Sequence, residues 1–200
     1  MRALTTVACG LSLCLTPAAA QTILEGVADT TGQAVALSRS RAAAEDLLST
    51  LKAVLSEHMT SQGPARALIA CSDTAQVLTE QVELRHRLSI RRVSERWRSA
   101  MDEPDPYEKA VLQRFEILAR DGALEPDREH TEITLEGSRR TFRYLKPIIV
   151  QPLCLSCHGP IDRLDPEVLR VLDERYPDDT AVDYSEGDMR GAVTVTVKLE

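Results

Sequence analysis

The chain has 200 residues, with 24 Lys and Arg against 31 Asp and Glu, a net charge of −7. That length suits one domain with a buried core. An acidic chain is a poor match for nucleic acid, whose phosphates require a basic face, and is steered instead toward basic partners.

Residues 1–20 read as an export signal. Met1-Arg2 supplies the positive start, Ala3 to Leu15 is mostly apolar, and "TPAAA" ends in the small-x-small pattern of a cleavage site. Thirteen residues are too few to span a bilayer as a helix, and no later stretch is long and apolar enough to do so. Leu13 is too large for a good lipid-attachment motif at Cys14. Cleavage after Ala20 would remove Arg2, taking the charge from −7 to −8, together with Cys9 and Cys14. The expected product is a periplasmic single domain, residues 21–200. It keeps Cys71, Cys154 and Cys157, an odd number of thiols for an oxidising compartment.

Gln33 to Met59 is rich in Ala, Leu, Glu and Arg. Leu47, Leu48, Leu51, Val54 and Leu55 recur at helical spacing and predict a long amphipathic helix. "SQGP" (Ser61 to Pro64) breaks it, and Pro64 opens a second helix with the stripe Leu68, Cys71, Ala75, Leu78 and Val82, expected to run to about Val82. Leu88 and Ile90 alternate with polar neighbours as in a half-buried strand. "MDEPDP" is a loop, Tyr107 to Ala119 a third helix closed by Asp121-Gly122, and "EITLEG" with "RTFRYLK" a hairpin around Gly137. A short acidic helix is expected near Pro166 to Arg175. Val193, Val195, Val197 and Leu199 then face one way, as in a strand. Helices first and strands mostly later give α+β with an antiparallel sheet.

Between the hairpin and the acidic helix lies "QPLCLSCHGP". Cys154, Cys157 and His158 form a CxxCH, the spacing at which two thiols reach both vinyl groups of one porphyrin and deliver an imidazole to its iron. A zinc site usually has four protein ligands, and the chain has no second CxxC or HxxxH to complete one. A thioredoxin-like CxxC belongs after a strand in a βαβ unit, whereas this one follows an antiparallel pair. Covalent haem c, one per chain, is the expectation.

The candidates for a sixth ligand are His58, His86, His130, Met59, Met101, Met189 and Cys71. Cys71 is the odd thiol and lies on the inward stripe of the second helix, although a buried cysteine also serves as a small core residue. Met189 is the main alternative, because His/Met pairing is common in electron-transfer haems.

Four blocks in order carry a resemblance: "LIACSDTAQVL", "IRRVSERWR…DEPDPYE", "YLKPIIVQPLCLSCHG" and "YPDDTAVDYSEGDMRGAVTV". From about Gly63 to Val197 the chain resembles a c-type haem-binding, PAS-like domain family, formerly a domain of unknown function. That family is found as free exported proteins and as sensor portions of bacterial signalling proteins. The resemblance implies a PAS-like sheet with long N-terminal helices and an axial thiolate at Cys71 opposite His158. Its arginine-serine strand offers Arg91, Arg92 or Ser94 to a haem propionate. The chain departs from the pattern at "RSAMDEPD", where an Arg-Asn-Pro run is usual, and at Asp183, where a glycine is usual.

Imidazole opposite thiolate stabilises ferric iron and lowers its potential relative to a thioether. Two functions follow: an exported monohaem cytochrome passing single electrons to a redox partner, for which an acidic chain favours a basic face, or a haem-based redox or gas sensor acting through a separate protein. An enzyme would need a distal acid–base pair, and the sequence marks none.

Overall fold

The structure is a computed structural model describing residues 17–199, with side chains from Thr30 onward except that of Glu136. Residues 1–16 of the expected export signal, Cys9 and Cys14 among them, lie outside the described residues.

Two helices come first, α1 (Pro17–Gln62) and α2 (Pro64–His86). The buried side of α1 is Ala36, Ser40, Ala43, Ala44 and Leu47, mostly small side chains that let a neighbour come close. The helix begins well before Gln33, where the sequence placed it. Periodicity marks where α1 is packed, and the helix extends ahead of that stretch. Gly63, at φ 81°, makes the break, and Pro64 takes the first turn of α2.

The second helix runs four residues past Val82. It closes on Arg87 in the left-handed region, at φ 53°. Arg39 of α1 donates from Nη2 to the carbonyls of His86 and Arg87, at 2.8 and 2.9 Å, occupying groups that a helix end leaves bare. A side chain 47 residues away does the capping, so no local glycine announces the end.

The sheet consists of β1 (Ser89–Val93), β2 (His130–Glu136), β3 (Arg139–Ile149) and β4 (Met189–Lys198), in the order β1-β4-β3-β2 and antiparallel throughout. Gly137, at φ 64°, turns the β2–β3 hairpin. Val195 of the inner strand β4 stands opposite Ile90 on one side and Tyr144 on the other. One sheet face packs Phe142, Tyr144, Val193, Val195 and Val197 against α1. The other packs Val93, Leu145 and Ala192 against Val111, Leu112 and Phe115 of α3 (Pro106–Arg120). α3 opens with a capping box between Asp105 and Glu108, and buried Glu108 also pairs with Arg91 and Arg143.

The chain leaves the sheet after β3 and returns at β4. Val150 closes the base of this excursion, donating to Asp188 O at 2.9 Å and accepting from Gly187 N at 3.0 Å. Within it lie the turn Pro152–Cys154, the four-residue α4 (Leu155–His158) and α5 (Pro166–Arg175). Val168, Val171 and Leu172 of α5 pack with Leu68 of α2 and with Cys157. The class is α+β, with two long helices ahead of an antiparallel sheet.

Candidate functional site

The turn and α4 place the CxxCH on little more than one helical revolution. Its three groups therefore leave nearly the same point of the backbone. Gly159 holds it shut: its N–H donates to Leu155 O at 3.0 Å, and a Cβ there would lie 2.6 Å from that oxygen. Cys154 and Cys157 are free thiols. Burial pushes the Cys157 thiol up to about 11, against the pull of Arg98 and with the Cys71 and Cys154 sulfurs adding to the rise.

His158 has a fixed tautomer. Its Nδ1 lies 2.6 Å from Ala181 O, and a carbonyl only accepts, so Nδ1 carries the proton and Nε2 keeps its lone pair. Burial first, then the charges of Arg98 and Arg190, hold the imidazole well below its ordinary 6.5, so it stays neutral at pH 7. Tyr184 meets the ring edge-on at 6.2 Å, and Tyr184 N donates to His158 O at 2.9 Å. A neutral imidazole with one nitrogen tied to a carbonyl is how proteins present a metal-binding histidine.

On α2, Ala67 and Leu68 are buried at one end and Thr79 and Val82 at the other. Cys71, Ala75 and Leu78 of the predicted stripe are only half-buried between them. The Cys71 thiol is raised by burial, with Arg92 and Arg98 acting against it. Cys71 thus shares one electrostatic environment with Cys157, Arg92 and Arg98. The other sixth-ligand candidates have these surroundings. Met189 is buried on the α3 face of the sheet, His86 pairs with Asp46 at 2.9 Å, and His58 contacts Gln62 at 3.2 Å. His130 faces Tyr107 on β2, Met101 is exposed, and Met59 lies in the last turn of α1.

Of Arg91 and Arg92 on β1 and Ser94 just past its end, Arg92 is the one whose charge acts on Cys71 and His158. Arg91 points to the opposite face, where it pairs with Glu108 and donates to Met101 O and Glu103 O at 3.2 and 3.0 Å. The Ser94 hydroxyl is occupied by the carbonyls of Arg190 and Arg96, at 2.8 and 3.0 Å. The structure adds two residues that the sequence reading passed over. Arg98 binds Asp179 at 2.9 Å, while half-buried Arg190 lies 5.6 Å from the Tyr184 ring centroid and donates to Arg96 O at 3.0 Å. Arg92, Arg98 and Arg190 all act on His158. Asp179 is tied to Arg98, which leaves Asp102 as the acid acting on both Arg92 and Arg190. Burial raises the Asp102 carboxyl, against those two arginines and Arg91. Cation therefore exceeds anion beside the imidazole.

The model of the Tll0287-like family, described as Tll0287, matches residues 32–198. The chain belongs to the Tll0287-like family. Among solved structures, this Tll0287-like chain is similar to the cyanobacterial heme-protein Tll0287, with a TM-score of 0.62 and 22% identity. The likeness covers 81% of this chain and 94% of that one. It carries the fold, which fits the PAS-like type that the resemblance implied. No curated protein matches the chain.

The Tll0287-like site combines two thiols, a neutral imidazole with a free Nε2, a third thiol on a facing helix and a surplus of guanidinium. That donor set fits a macrocycle with two vinyl groups, an axial metal and two carboxylates. Haem supplies one-electron iron chemistry when bound.

Proposed function

We propose that this Tll0287-like chain is an exported monohaem c-type cytochrome that transfers single electrons to and from a partner protein. The observation that carries the reading is the His158 tautomer: beside two free thiols, the Nδ1–Ala181 bond leaves Nε2 as the only nitrogen able to take iron. Cys154 and Cys157 add their S–H groups across the vinyls as two thioethers. His158 is one axial ligand, and Cys71, from α2, is the other. Arg92 and Arg190 face the propionates, where burial makes charge pairing strong. Export to the periplasm rests on the sequence of residues 1–20 alone.

The test is to produce the protein with a c-type haem attachment system and record its mass and its oxidised and reduced visible spectra. One haem of added mass and a low-spin ferric spectrum are expected. Cys71→Ala should keep the haem, change the ferric spectrum and raise the potential. Colourless protein with the mass of the bare polypeptide would overturn the reading.

A sensor acting through a separate protein is the second reading, and one observation favours it. Burial raises the Cys71 thiol, so a sulfur released on reduction would take up a proton and stay off the iron. Carbon monoxide binding to the reduced protein would support this reading, and an unchanged spectrum would support electron transfer.

A further inference from the structure

Arg98 touches neither of the proposed axial ligand atoms, yet its guanidinium holds the frame around one of them. Its Nε donates to Asp179 Oδ2 at 2.9 Å, and Nη2 donates to Cys157 O at 2.6 Å and to Ala181 O at 3.2 Å. The Arg98 and Asp179 side chains are 10% and 7% exposed, so the pair works away from solvent. Asp179 also accepts from Ala181 N at 2.8 Å, which fixes the carbonyl from behind. Ala181 O is the same oxygen that takes the His158 Nδ1 proton at 2.6 Å. One carbonyl therefore serves two donors, and one of them is a cation.

A carbonyl oxygen has two lone pairs, and a cationic donor on one of them draws electron density from the other. The bond to His158 is weaker than it would be to an unshared carbonyl. The hydrogen bond on the far nitrogen of a ligating imidazole sets how strongly the near nitrogen donates to metal. We propose that Arg98 is a positioning residue that limits the electron donation of His158 to haem iron by sharing the Ala181 carbonyl, so that the potential sits higher than the His158 ligand alone would set it. The inference rests on the haem reading above. The Arg98 charge, paired with Asp179 at 2.9 Å, also acts directly on the imidazole and in the same direction, so the part carried by the shared oxygen is the part that a displaced charge such as Lys would not restore.

The experiment compares wild type with Arg98→Gln and Arg98→Lys as holoproteins. Gln removes the charge; Lys keeps it but loses the planar fork that reaches Asp179 and both carbonyls together. Two quantities are read: the midpoint potential, and the His158 Nδ1–H proton resonance in reduced protein under carbon monoxide. The resonance is also read in the haem-free chains, where the Nδ1–Ala181 contact already exists, so a variant that matures poorly is still measured. In both variants the resonance should move downfield and the potential should fall. A resonance that stays in place in both would overturn the proposal. So would Arg98→Lys returning both quantities to wild-type values, since charge alone would then suffice. Failure of the haem reading shows separately, as wild-type protein that carries no haem.

Discussion

Gly159→Ala tests whether the CxxCH turn is held by close packing. The backbone there, at φ −69°, suits any residue, so the perturbation is purely steric. The new methyl would lie 2.6 Å from Leu155 O, and ordinary contact begins at 3.4 Å, so the oxygen must retreat. That retreat breaks the 3.0 Å bond from Gly159 N which closes α4. A lost hydrogen bond costs about 1 kcal/mol net, and overpacking adds roughly 1–3 kcal/mol. The total, about 3 kcal/mol, lowers Tm by on the order of 10 °C in a chain of this size. Thermal unfolding of the haem-free chain by circular dichroism reads it directly. Gly122→Ala is the control, since its Cβ meets nothing within 4 Å and only the φ of +67° opposes it. The holoprotein of Gly159→Ala should also show a shifted ferric spectrum, because His158 precedes the moved residue. A Tm within about 2 °C of wild type, less than 1 kcal/mol on this scale, would refute the reasoning.

Glu108 is 3% exposed at its side chain, pairs with Arg91 and with Arg143 at 3.1 Å, and accepts from Asp105 N at 2.9 Å. Glu108→Ala breaks a buried pair and should cost about 3 kcal/mol in urea unfolding, the lower end for such a loss because Asp105 still holds Arg143; a change below about 1 kcal/mol would contradict the pairing. The His158 imidazole is held below 6.5 in the folded chain, so below pH 6.5 the unfolded chain binds the extra proton. The His158 contribution to the stability of the haem-free chain should be constant above that pH and fall by up to about 1.4 kcal/mol per unit beneath it. His158→Gln should remove that slope between pH 6.5 and 5, and an unchanged slope would mean that another group carries it.

The elements that were legible in the sequence are those whose own pattern sets them. Val193, Val195 and Val197 alternate and form the inner face of β4, and Pro166 to Arg175 is helical over that span. Gly137 turns its hairpin because its φ is positive. The end of α2 was not legible, since Arg39 of another helix caps it. The choice between Arg91 and Arg92 could have been narrowed: neighbouring strand residues face opposite ways, and Arg92 shares a face with buried Ile90. Arg98 and Arg190 gave a weaker signal. Nothing in "RWR" or "MRG" says that one guanidinium will meet Asp179, 81 residues away, or that the other will lie over the Tyr184 ring. Contacts of that range exist only once the sheet has formed.

β4 is an inner strand of the sheet and follows every other described strand in the chain. Until it is available, β1 has no partner and the β2–β3 hairpin stands alone, a unit of marginal stability by itself. The CxxCH thus leaves the ribosome, and crosses any membrane, ahead of the strand that locks its surroundings. Under the haem reading proposed above, an attachment enzyme acting before β4 docks would meet those cysteines on an open chain. The docking of β4 would then bring Arg190, its second residue, up beside His158.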